Sequence, residues 1–166
     1  MLEDDIIAKL PTGYVVGLCT TDFMKLSRFA PEDAAWHEAF HRVMELLLTS
    51  DERKVFYDAY SKGYKVTDER TIAEGLADLF VDFMTKVGMP KGGVFNKIKR
   101  FFKTVSLGIT ITKKLGVWKT RRLFMFFNDI NNGKYRNRTA SEENKRRFET
   151  VFNGWLAYTV KNQKTG

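Results

Sequence analysis

From Pro31 to Leu48 the chain reads PEDAAWHEAFHRVMELLL, and Trp36, Phe40, Val43, Met44 and Leu47 recur in it at three- and four-residue intervals. That spacing puts one apolar face on a helix, and a helix with such a face must be covered by other elements. Pro31 suits the first helical position, where its missing N–H costs nothing. Glu32 and Asp33 suit the first turn, next to the positive end of the helix dipole. The only two histidines of the chain, His37 and His41, fall on this same helix, with Glu38 directly after the first.

Similar patterns follow along the chain. TSDE at 49–52 reads as a capping box of Thr49 with Glu52, opening a second helix that should end before Gly63. A third helix starts near Thr67 or Asp68, carries Ile72, Leu76, Leu79, Phe80 and Phe83 on one face, and stops at Gly88 and Pro90. After the linker-like MPKGG, VFNKIKRFFKTV at 94–105 is a basic amphipathic helix, and SLGITITKKLG should break it. Another helix is expected over Trp118–Asn131, where the run FMFF at 124–127 reads as core. A last helix should reach Val160, with Thr139 and Glu142 as its capping box. GYVVGLCTT at 13–21 is rich in β-formers and reads as a short strand. The expected fold class is mostly α, an α+β chain with a minor edge strand.

With 166 residues, 43% of them hydrophobic and 14 of them Phe, the chain can bury a real core in one domain, or one domain plus a tail. Its one cysteine, Cys19, excludes an intrachain disulfide and reads as a small buried side chain. The N-terminal MLEDDIIAKL has the character of neither a signal nor a transit peptide, and no apolar run reaches a membrane span, so a protein that is cytoplasmic or cut from a longer precursor is expected. Net charge is +8, with the excess of Lys and Arg after MPKGG. Two parts are therefore expected: a domain at 1–89 and a basic helical region at 90–166. The basic helix at 94–105 is expected first to pack its Phe face on the rest of the protein, or the region forms a small subdomain. An anionic membrane surface comes second and nucleic acid, through KTRR and KYRNR, third, since no base-reading module is visible.

On a helix, residues four apart share a face, so His37 and His41 can both point at one ion. Neutral imidazole is a good zinc ligand, and Glu38, turned about 100° from His37, can sit beside the ion and hold its water. A catalytic zinc needs a third protein ligand. Glu74, on the third helix, can complete a two-histidine, one-glutamate site, and Asp78, one turn on, can accept the other ring N–H of His37. Glu69 is the nearest rival to Glu74, but with Asp68 it is explained by the helix start.

HEAFH followed by EGLAD resembles the gluzincin metallopeptidases, whose pattern is H-E-x-x-H with E-x-x-x-D downstream. The resemblance spans about residues 31–86 and implies a zinc-dependent peptidase acting on a peptide or protein substrate. It implies His37, His41 and Glu74 as zinc ligands, Glu38 as general base and Asp78 as the histidine's partner. It also matches GYVVGLCTT to the strand at the edge of the cleft, which binds extended substrate through its backbone. In such a site zinc polarises the scissile carbonyl and Glu38 moves the proton of the bound water to the leaving amine. Larger members add a histidine or tyrosine to stabilise the tetrahedral intermediate. Here there is no third histidine, and Tyr57, Tyr60 and Tyr64 are equal candidates.

The whole chain is also similar to small metallopeptidase-like domains of phage and mobile-element proteins, in which the H-E-A-F-H module is followed by a basic helix and an F-x-x-I-x-x-G-K-Y segment, here FNDINNGKY at 127–135. That similarity implies processing of a larger phage polyprotein and a place in the virion or the host cytoplasm. The competing reading is an inactive peptidase-like module that docks on membrane or nucleic acid through its basic helices.

Overall fold

The structure, a computed structural model, describes residues 8–10, 13–28, 30–87 and 94–161. It is mostly α with one small sheet, as the periodicities predict. The strands are β1 (Ala8–Leu10), β2 (Gly13–Cys19), β3 (Met24–Leu26) and β4 (Leu156–Lys161). The helices are α1 (Glu32–His41), α2 (Ser50–Tyr64), α3 (Glu69–Val87), α4 (Val94–Leu115), α5 (Val117–Asn131) and α6 (Glu142–Phe152). A π-helical segment, Arg42–Leu47, continues α1.

The chain forms two compact units: residues 1–47 with 139–166, and residues 48–138. The second is inserted between the two segments of the first. The units therefore part after Leu47 and after Arg138, whereas the sequence suggested a boundary after residue 89. The linker on which that boundary rested, MPKGG, lies outside the described residues.

In the first unit β2 is the centre of the sheet. β1 and β3 pair antiparallel with its two halves along one side, and β4 pairs antiparallel along the other. The expectation that GYVVGLC is an edge strand is thus overturned. Its backbone is engaged on both sides and cannot take up an extended substrate. The ladder with β4 shifts register between Val15 and Gly17. This bulge breaks the in–out alternation, so Val15 and Val16 are both buried. α1 packs on β2, β3 and β4.

The last helix is shorter than expected. Its N-cap is Ser141, whose hydroxyl accepts from Asn144 N, and not Thr139. It ends at Phe152 rather than Val160, because Asn153 and Gly154 both take positive φ (55° and 82°). Two such residues in succession end a helix, and the β-formers of LAYTVK then pair with β2. α6 is fastened to the π segment by two contacts, one buried and one part-buried. Asn144 Nδ2 donates to Leu46 O at 2.9 Å, and Arg147 Nη1 lies 2.6 Å from Glu45 Oε2.

In the second unit the Thr49–Glu52 capping box is present with both of its bonds. α2 runs through Gly63 and stops at Lys65, which is left-handed. Gly63 is there for close approach rather than termination: a Cβ on it would lie 2.6 Å from Lys114 O. α4 also runs past its expected break, to Leu115. Burial of Leu107 and Ile111 outweighs the roughly 1 kcal/mol that Gly108 costs a helix. Phe56 stacks on Phe126 (4.5 Å between ring centroids), and Phe80 and Phe83 meet Phe127 edge-on or tilted. Phe126 and Phe127 are buried, as FMFF predicted, while Met125 is exposed. For the apolar face expected at 94–105, the side chains of Val94, Phe95, Phe101 and Phe102 lie outside the described residues.

Arg138 grips Glu52 with two bonds, Nη1 to Oε1 at 2.7 Å and Nη2 to Oε2 at 3.2 Å. This pairing, with the capping bonds from Thr49, lowers the Glu52 carboxyl from 4.5 to about 2. A depressed carboxyl stabilises the fold above its unfolded pKa and loses that contribution as pH falls from 4.5 toward 2. Both side chains are more than a third exposed, so solvent screens the pair to about 1 kcal/mol or less. Arg138→Ala is expected to lower stability by that amount at neutral pH, with the deficit shrinking as pH falls through this window. Urea unfolding of both proteins across the range measures it.

Candidate metal centre

The site begins with α1 lying across a notch in β2. A Cβ on Gly17 would lie 3.0 Å from Glu38 Cγ and 3.3 Å from Tyr158 Cβ. Glycine at this position therefore lets the Glu38 side chain lie against the strand. Tyr158, paired with Gly17 across β2 and β4, stands beside it and meets the His37 ring edge-on, 5.1 Å between centroids. His37 and His41, one turn apart, are themselves edge-to-face at 4.5 Å.

His37, Glu38 and His41 are 2%, 0% and 0% exposed, and each offers one ligand atom within 4.8 Å of the others. His37 Nδ1 donates to Glu38 Oε1 at 3.1 Å. With Nδ1 as donor to the carboxylate, the imidazole lone pair lies on Nε2, the tautomer suited to binding an ion. The other carboxylate oxygen, Glu38 Oε2, is buried and has no hydrogen-bond partner among the described residues. A buried carboxylate oxygen without a partner is costly, and a cation is the partner that would relieve it best. Two imidazoles and a carboxylate form a donor set that zinc and its neighbouring divalent metals accept. On geometry and chemistry the cluster fits a metal ion.

The surroundings are ionic as well. Glu45, four residues after His41, is fully buried against Arg147. Arg42 Nη1 is buried with no hydrogen-bond partner among the described residues. Cys19 is fully buried. Burial first, then the charge of Glu38, pushes its thiol up to about 12. A thiol held neutral in this way is inert at physiological pH, in line with its reading as a packing residue.

The remaining sequence candidates belong to the other unit. Glu74 and Asp78 lie on α3, Glu74 partly buried and Asp78 exposed. Glu69 opens the same helix and is exposed. Tyr57 is buried on α2. Tyr60 and Tyr64 stack on each other at 4.3 Å, and a methyl group on Gly75 would collide with the Tyr60 hydroxyl. Burial raises the hydroxyl pKa of both, so they are neutral phenols with a packing role in that unit. Sequence reasoning did not find Gly17, Tyr158 or Glu45 as parts of the site's surroundings. Glu45 had a signal, since it continues the four-residue spacing of His37 and His41. Gly17 and Tyr158 are brought there by sheet pairing and had none.

Gly17→Val should lower stability by about 1–3 kcal/mol through overpacking against Glu38 and Tyr158. Gly108→Ala, whose new Cβ would make an ordinary 3.8 Å contact with Phe124, should be neutral or stabilising. Thermal unfolding of the two variants beside the parent chain checks the contrast. Searches against protein-family models, curated proteins and solved structures gave no match to this chain, so the chemistry of α1 rests on its own geometry.

Proposed function

We propose that α1 binds a divalent metal ion, zinc as first choice, and that the protein uses it to hydrolyse peptide bonds. The observation that carries this reading is the buried trio His37, Glu38 and His41, with one carboxylate oxygen unpartnered among the described residues. His37 and His41 hold the ion. When bound, zinc supplies Lewis acidity toward a carbonyl and makes its water acidic near neutral pH. Glu38 is the group that can take a proton from such a water and return it to a leaving amine, since it is the carboxylate adjacent to both histidines. The bond to His37 also gives Glu38 a positioning role.

Burial favours a second reading. A peptide must reach Glu38, and none of the three side chains is more than 2% exposed. In this reading the ion is a structural tie of the first unit, with Glu38 as its third ligand, and no peptide is cut.

One set of proteins separates the two. Purified without chelator or histidine tag, the chain is expected to carry about one zinc by mass spectrometry, as structural and catalytic zinc sites do. His41→Ala is expected to lose it. Glu38→Gln that keeps the ion and loses cleavage of a peptide library makes Glu38 the base. Glu38→Gln that loses the ion makes it a ligand. Glu74→Ala takes the sequence expectation into the same assay: loss of metal assigns Glu74 as a ligand, and retained metal removes it from the set. A parent chain that takes up no divalent ion, even after zinc is added back, ends both readings.

A further inference from the structure

α4 and α5 leave apolar side chains in water on helices whose own charged residues up to Asn128 are Lys and Arg. On α4, Ile98, Val105 and Ile109 are 50%, 41% and 53% exposed. Spaced seven and four apart, they form one stripe. Leu107 and Ile111, on the other face, are buried. On α5, Trp118 and Met125, again seven apart, are 79% and 60% exposed, with Val117 beside them at 66%. Leu123 and Phe127 point into the core.

Along these helices up to Asn128 the sequence carries charge of one sign. Residues 94–128 contain nine Lys and Arg and no Asp or Glu. Lys103, Lys113, Lys114, Lys119, Arg121 and Arg122 are exposed. Single exposed apolar residues are ordinary and need no account. Stripes at helical spacing on two successive helices whose own charged residues up to Asn128 are cations mark an interaction surface, although Met125 also borders a pocket shared with Glu52 and Asp129. Nucleic acid would use the cations but leave Ile98, Ile109 and Met125 in water. An anionic bilayer uses both: phosphates and carboxylates meet the cations, aliphatic side chains enter the acyl boundary, and Trp118 suits the interface between them.

We propose that the exposed stripes of α4 and α5 in the second unit dock on an anionic lipid surface. Among the described residues no helix is long and apolar enough to cross a membrane, so the contact is interfacial.

The test uses the full chain and sedimentation with phosphatidylcholine vesicles, with and without phosphatidylserine. Binding is expected with phosphatidylserine only, weakened at high salt as the surface charges are screened. Lys113→Glu with Lys114→Glu should weaken it about tenfold or more. Trp118→Ser with Ile109→Ser should weaken it by a similar factor, about tenfold, through lost apolar burial. All four positions are exposed or at a helix end, and circular dichroism checks that the variants fold; Met125→Ser replaces any that does not. Brominated acyl chains should quench tryptophan fluorescence in the parent chain and not in Trp118→Phe. Three results would each overturn the proposal: no preference for phosphatidylserine vesicles, vesicle binding untouched by loss of Trp118 and Ile109, or retention on DNA with none on vesicles.

Discussion

Within nine residues of helix, His37, Glu38, His41 and Glu45 are all taken out of water. Removing ionisable groups from water is among the largest unfavourable terms in folding, and much of the first unit is arranged to offset it. Glu45 is met by Arg147 from α6, and the turn beside it is held by Asn144 at the carbonyl of Leu46. Glu38 is given space by the absence of a side chain at Gly17 and one bond by His37. What this arrangement leaves over is one carboxylate oxygen of Glu38 and one guanidinium nitrogen of Arg42, both buried and without a hydrogen-bond partner among the described residues. A purely structural polar core tends to satisfy every member, because a partly satisfied one is worse than an apolar core. The remainder on Glu38 is the physical reason for reading the cluster as a metal centre.

Local chemistry carried most of the fold into view. The α1 face, the Thr49–Glu52 box and the start of α3 depend on residues within a few positions of each other, and the sequence displays them directly. The failures share a cause. The end of α6 depends on left-handed residues at Asn153 and Gly154 and on a β2 partner far away in sequence. The helical run through Gly108 depends on burial of Leu107 and Ile111. Non-local packing overrode local propensity in both cases. The misreading of β2 has the same cause: whether both its edges are paired is set by β1, β3 and β4 and not by its own residues.

The candidate site divides in the same way. His37, Glu38 and His41 were legible because a helix turns spacing into geometry. Glu74 and Asp78 came from the family resemblance and from spacing between helices, which depends on how separate elements are arranged. The structure puts them on α3, in the unit that also carries the exposed cationic face. The proposed metal centre and the proposed docking surface thus lie in different units of one chain, and Trp118 and Ile109 are not members of the buried trio.

The first unit is discontinuous, and this would tie an ion held by the His37, Glu38 and His41 group to its folding. α1 and β2 lie in its N-terminal segment, while β4 and α6 return only after the whole of residues 48–138. Joining the two segments carries a loop-closure entropy that grows only slowly with the length between them, but it must be met before the long-range contacts exist. Those contacts include the β2–β4 ladder, the Glu45–Arg147 pair and the edge-on approach of Tyr158 to His37. The second unit, continuous from 48 to 138, has no such closure to make. A metal ion held by α1 in the folded state alone would stabilise the closed arrangement, in which Tyr158 of β4 lies against His37, by mass action. Metal occupancy and closure of the first unit are then one linked equilibrium.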